Sequence, residues 1–307
     1  MAEIKIDDTT LAKFHDKVVV VTGCAQGIGQ RVVCQLFQAG ARVVAADVND
    51  IKGRNVIDTL KRNGQKGHLY ATYVHVDVSN YDSVHGLFKH ALDLHGRVDM
   101  AIHCAAITEI SGWFAPGKSM DSIISPPTTQ VLDVNLAGTM YVIHVALAAI
   151  RSDSSTQNGD TKSITLVSSV AGFKESPGLF AYSASKHGVM GLMRSLRGYL
   201  PSTFNVRINV VCPWATDTEM LGAVPDLWLR NSMPMNTPDD VARIIIQCAG
   251  DESLHGKAVY VAGGKGFDIE EGIDRTQAEW LGHDQSRDLA KGQELLGSGS
   301  AWAAKCN

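Results

Sequence analysis

Short runs of β-branched and other apolar residues recur along this chain and alternate with longer stretches whose apolar positions repeat at helical spacing. The runs are Lys17 to Thr22, Arg42 to Ala46, Ala71 to Val76, Val98 to Cys104, Ser163 to Val167, Val206 to Val211 and Lys257 to Val261. Between them the pattern predicts helices from the first glycine turn to Gln38, then near Asp50 to Asn63, Tyr81 to His95, Thr128 to Ile150, Ala181 to Leu200 and Pro238 to Gly250. Strands that alternate with helices predict an α/β fold, a Rossmann-type doubly wound parallel sheet of about seven strands with helices on both faces. Val18 to Val21 is apolar on both alternating faces, as a central strand covered on both sides should be.

Two stretches break the rhythm. Arg151 to Lys162 is rich in Ser, Thr, Asn, Asp and Gly and reads as a connector. Gly263-Gly264-Lys265-Gly266 opens a polar, partly helical tail. The expected division is one cofactor-binding and catalytic domain over residues 1–264 and a carboxy-terminal extension over residues 265–307. Trp280, Leu281, Leu295, Leu296 and Trp302 give that extension apolar surface with which to cover a site or a subunit neighbour.

Composition narrows the partners. The 307 residues are 45% hydrophobic and 20% charged, and 28 basic side chains against 32 acidic ones give a formal charge of −4. No basic block points to nucleic acid or an anionic membrane. Charges are interleaved through Met1 to Lys17, and no charge-free stretch of membrane-spanning length is expected elsewhere. The six cysteines are scattered without a C-x-x-C pair, so reduced thiols, no metal site and a cytoplasmic location are expected.

The first strand leads into Thr22-Gly23-Cys24-Ala25-Gln26-Gly27-Ile28-Gly29. Gly23 permits a tight turn, Gly27 lets the backbone approach a phosphate, and Gly29 lets the helix pack on the sheet. With Gln26 and Ile28 they open a helix whose first N–H groups suit a dinucleotide pyrophosphate. Asp47 ends the second strand, where a carboxylate accepts from ribose hydroxyls and repels a 2′-phosphate, so NAD is favoured over NADP. Capping of the following helix is the alternative role for Asp47. Asp77 and Val78, after the third strand, are candidates for the adenine end, with a loop cap as the alternative for Asp77.

Tyr182 and Lys186 share one helical face, so the ammonium is expected to favour ionisation of the phenol, and Ser169 precedes them. With Asn135 in Asp133-Val134-Asn135-Leu136-Ala137-Gly138, Ser168-Ser169-Val170-Ala171-Gly172 and Tyr182-Ser183-Ala184-Ser185-Lys186, the chain resembles the short-chain dehydrogenase/reductase family over about Asp16 to Gly264. The resemblance implies that Tyr182 exchanges a proton with the substrate oxygen and that Ser169 hydrogen-bonds that oxygen. Lys186 would hold the nicotinamide ribose, Asn135 would hold a relay water, and Thr218 would contact the nicotinamide amide. Two departures stand out: Cys104-Ala105-Ala106 where the family has Asn-Ala-Gly, and Pro213-Trp214 where it has Pro-Gly.

The loop after Thr218 carries Met220, Leu221, Val224, Leu227, Trp228, Met233 and Met235, an adaptable apolar wall with few cations. Trp214, Phe180 and Met220 are candidate pocket residues, with ordinary packing as the alternative for Trp214; Ile107, Trp113 and Pro177 are further ones. The expected activity is NAD(H)-dependent interconversion of a secondary alcohol and a ketone on a bulky hydrophobic substrate, terpenoid, steroid-like, prostanoid-like or polyketide, in secondary or lipid metabolism. The alternative is an NAD-binding scaffold or sensor without redox turnover. The resemblance also implies a homodimer or homotetramer packed through the helix that carries Tyr182 and Lys186.

Overall fold

The apolar runs become seven parallel strands: β2 (Val18–Thr22), β3 (Arg42–Asp47), β4 (Ala71–His75), β5 (Met100–His103), β6 (Ser163–Val167), β7 (Arg207–Pro213) and β8 (Ala258–Ala262). The computed structural model describes residues 2–63, 70–110, 112–152, 162–222 and 224–297. Along the sheet the order is β4-β3-β2-β5-β6-β7-β8. The order reverses between β2 and β5, and in such sheets that point opens a crevice beyond the carboxyl ends of the strands.

Alternation along β2 explains its position. Val20 faces a core shared with the helices Tyr81–His95, Gln130–Arg151 and Phe180–Leu196, whereas Val19 and Val21 face one shared with Gly27–Gln38 and Pro238–Gly250. All five residues of β2 are buried. Both faces are dry, so the strand is apolar throughout.

The sheet is longer than the sequence pattern predicts. After β8 the chain turns through Gly263 (φ 57°) and Gly264 (φ 77°) into β9 (Lys265–Asp268), which runs antiparallel to β8 with Ala262 opposite Lys265. Positive φ at both turn residues is what a two-residue hairpin requires, and glycine supplies it without strain. The short strand β1 (Glu3–Ile4) then pairs with β9 at the edge. The sheet thus runs to Asp268 and does not stop at Gly264.

Helix bounds also shift. The helix expected to begin at Thr128 runs Gln130–Arg151 and contains a π-helical turn, Asp133–Ala137. This helix is long and apolar enough to cross a membrane by length and composition, against the expectation of no such stretch. Here Val142, Ile143, Val145, Ala146, Leu147, Ala149 and Ile150 belong to the core. The helix expected over Ala181 to Leu200 runs Phe180–Leu196, and a separate short helix, Leu200–Phe204, follows.

The extension is anchored by charge. Asp268 caps the helix Ile269–Leu281, and buried Glu270 accepts from Arg194 (2.8 Å) and Arg197 (2.9 Å). A second helix, His283–Leu296, follows. Trp280, Leu295 and Leu296, expected to supply covering surface, are exposed, and Trp302 lies outside the described residues. So does most of the connector read over Arg151 to Lys162.

Candidate active site

A cleft of about 430 Å³ opens at the reversal of strand order. Gly23, Gln26, Gly27, Ile28, Gly29, Asp47, Asp77, Val78 and Thr218, all assigned to a cofactor from sequence, line it. A Cβ added at Gly23 (φ 75°) would lie 2.6 Å from the backbone nitrogen of Ala105, so the turn closes against the end of β5 only as glycine. Gln26 precedes the helix Gly27–Gln38 without a side-chain capping bond, and the first turn carries no acid. Its N–H groups therefore suit an anion. The cleft, the glycine turn and the open helix end together fit a dinucleotide.

Asp47 does not cap the next helix. Its Oδ2 accepts from the N–H of Ala25 and its Oδ1 from that of Asn49, each at 2.9 Å, while Asn49 Oδ1 accepts from the N–H of Lys52 and caps Asp50–Asn63. The carboxylate thus pins the glycine turn to the end of β3 and still faces the cleft. Asp77 takes the N–H and hydroxyl of Ser79 at 2.9 and 2.7 Å, so its loop-capping role is observed, at the cleft wall. Cys104, Ala105 and Ala106 line the cleft as well. Ala106 is not in the left-handed region, so replacing the family's glycine introduces no backbone strain.

Ser169 ends the segment after β6, and its hydroxyl accepts from the N–H of Ala171 at 3.2 Å. Lys186 is buried, donates to the carbonyl of Val167 at 3.0 Å, and lies 5.6 Å from the centre of the Tyr182 ring. Burial pushes the Lys186 ammonium down to about 8, offset in part by the Cys212 and Cys104 thiols. Burial also raises the Tyr182 phenol above its ordinary value, against the lowering effect of Ser169. From sequence, Lys186 and the nicotinamide charge together are expected to lower the phenol. Desolvation, the largest influence on the phenol in the folded chain, acts in the other direction.

Asn135 sits in the π-helical turn. Its side chain donates to the Ile107 carbonyl and accepts from the Ile107 N–H, both at 2.9 Å, and donates to Ser185 Oγ at 3.1 Å. The main-chain carbonyl of Asn135 accepts from Thr139 Oγ1. The side chain is therefore committed to the segment after β5. Ser185 Oγ in turn donates to the Tyr182 carbonyl at 2.6 Å, which links Asn135 to the tyrosine helix.

On the substrate side the candidates separate. Phe180 packs edge-on against Phe114 at 5.0 Å, and Met220 lines the cofactor cleft. Trp214 is not among the residues lining the cleft; its ring lies 5.5 Å from Trp228 and 6.3 Å from Tyr260. These contacts link the helix Val224–Arg230 to β8 through Trp214. Three features escaped sequence reasoning. Lys52 bonds both Gln26 (2.7 Å) and Glu219 (2.8 Å) across the cleft mouth. Glu109 accepts the N–H of Tyr182 at 2.9 Å. His103, buried beneath Thr22, bonds it at 2.7 Å. All of these pairs are far apart in the chain and leave no local signal.

A cleft that fits a dinucleotide at a strand-order reversal, with a tyrosine close to a buried lysine, defines a dinucleotide-dependent oxidoreductase. A model of the short chain dehydrogenases matches residues 17–226, and this chain belongs to the short-chain dehydrogenase/reductase family, whose members bind NAD(P). It is 33% identical to 5′-hydroxyaverantin dehydrogenase of Dothistroma septosporum, over 94% of this chain and 96% of that protein. It is 30% identical to the 3β-hydroxysteroid dehydrogenase of Mediterraneibacter gnavus (84% and 96%) and to (+)-borneol dehydrogenase 1 of Salvia officinalis (84% and 95%). The crystal structure of gox2181 is similar with a TM-score of 0.69 at 27% identity, covering 83% of this chain and 98% of that one.

Proposed function

We infer that the protein is an NAD-dependent alcohol dehydrogenase that interconverts a secondary alcohol and a ketone on a bulky hydrophobic skeleton. The observation that carries this reading is the approach of buried Lys186 to within 5.6 Å of the centre of the Tyr182 ring, with Ser169 lowering the Tyr182 phenol. Ser169 would hold the substrate oxygen and Tyr182 would exchange its proton, with Lys186 supplying positive charge to the phenolate that forms. When bound, the nicotinamide supplies the redox partner for the carbinol carbon and, in oxidised form, a second positive charge near Tyr182. Asn135 would act by holding Ile107, and thus the cleft wall, in register with the tyrosine helix.

NAD over NADP is supported by Asp47 at the cleft wall and by Glu219, which neutralises Lys52, a cation at the cleft mouth. The bulky substrate is supported by the exposed rings of Phe114 and Phe180, the sulfur and aromatic wall after Thr218, and relatives named for hydroxyl-bearing averantin, steroid and borneol skeletons. Steroid-like, terpenoid and polyketide alcohols are the first to test. Assembly as a homodimer or homotetramer and a cytoplasmic location complete the reading; light scattering and cell fractionation test them. The deciding experiment follows NADH formation with a panel of such alcohols, with Tyr182→Phe alongside. Tyrosine-dependent turnover supports the enzyme, and dinucleotide binding without turnover across the panel supports the scaffold reading.

A further inference from the structure

Two of the four candidate catalytic residues grip the same three-residue segment. Ile107 has both main-chain polar groups held by the Asn135 side chain, and Glu109, two residues on, accepts the main-chain N–H of Tyr182 through Oε2. Ile107 also lines the cofactor cleft. The segment is thus a strap from the cleft wall to the helix that carries the acid/base.

The helix end itself shows why Glu109 is used. Phe180–Leu196 begins after Leu179, which has no side chain able to cap it. Tyr182 is the third residue of that helix, so its N–H has no partner within it. Glu109 supplies the missing acceptor from 73 residues away, and its negative charge suits the positive end of the helix. Phe114, five residues beyond Glu109, packs on Phe180 at the same end. Glu109 Oε1 is buried and has no hydrogen-bond partner among the described residues. Leaving a buried carboxylate oxygen unpaired costs stability, whereas a short polar side chain at position 179 would cap the helix without that cost. The arrangement makes sense as a tether between two parts of one site.

We propose that Glu109 is a positioning residue that sets Tyr182 against the cofactor cleft, acting through the Tyr182 main chain; this rests on the role of Tyr182 in the dehydrogenase reading. Loss of the tether lets the first turn of the helix move, and misplacing an acid/base by about 1 Å can cost about 100-fold in rate.

The test compares Glu109→Ala and Glu109→Gln in the full chain. In Glu109→Ala, kcat with a secondary alcohol is expected to fall about 10- to 100-fold while KM for NAD changes less than about twofold. Glu109→Gln keeps an acceptor oxygen and is expected to restore most of kcat. Backbone hydrogen exchange at Tyr182 is expected to speed up in the alanine variant and to stay near the parent rate in the glutamine one. An unchanged kcat in Glu109→Ala, equal loss in both variants, or unchanged Tyr182 exchange in Glu109→Ala overturns the proposal. If the parent protein turns over no alcohol, the dehydrogenase reading fails, and hydrogen exchange still decides the tether.

Discussion

Asn135 holds both main-chain polar groups of Ile107, donating to its carbonyl and accepting from its N–H at 2.9 Å each. An asparagine in a helix interior would ordinarily face solvent or bond back to the preceding turn. Here the π-helical turn aims it across to the segment after β5. A residue singled out as a proton relay is, in the folded chain, first a clamp on the wall of the cofactor cleft.

Replacing Tyr182 with Phe removes the hydroxyl and retains the ring. kcat/KM for alcohol oxidation is expected to fall by about 100- to 10,000-fold, the span of general acid–base catalysis. NADH binding, followed by quenching of protein fluorescence, is expected to change little, because the cleft is lined by other residues.

His103 is buried against Thr22, and burial together with the Lys186 charge pushes its pKa down to about 3. The unfolded chain protonates this histidine near pH 6.5 and the folded chain does not. Between those values the unfolded state therefore binds more protons, and stability is lost as pH falls. His103 is expected to contribute about 2 kcal/mol of loss between pH 7 and pH 5. Urea unfolding of the parent and of His103→Asn at both pH values checks this: the variant should show a shallower fall. Parallel curves would count against it.

Gly23 turns at φ 75° with the end of β5 pressed against the place a Cβ would occupy. Gly23→Ala combines backbone strain with a clash against main chain that cannot rotate away, and about 1–3 kcal/mol of destabilisation is expected from the strain alone. Weakened NADH binding should accompany a lower melting temperature, since the same turn forms the cleft floor.

Lys52 and Glu219 are both well exposed, so their ion pair adds little to stability. Its effect is expected in cofactor choice. Glu219→Gln frees a cation at the cleft mouth, and the ratio of kcat/KM for NADP over NAD should rise about two- to fivefold, the equivalent of a modest surface charge interaction. High salt should erase the gain.

The alternation of β-branched runs with helical spacing is local, because strand and helix periods are properties of the backbone, so the parallel sheet and its order of elements were determined by sequence. The glycine turn and the Tyr182–Lys186 pair were legible for the same reason: each places its groups within about two helical turns. Strands β1 and β9 were not, because Glu3-Ile4 is only two residues and Lys265-Gly266-Phe267-Asp268 has no β-branched or apolar run. Pairing Glu109 with Tyr182, Asn135 with Ile107 and Lys52 with Glu219 required the folded chain, since only packing of distant segments brings those atoms together. Burial of the Tyr182 phenol, which raises it, also required the folded chain. Spacing along a helix reports which charges are neighbours, whereas desolvation depends on everything packed around them.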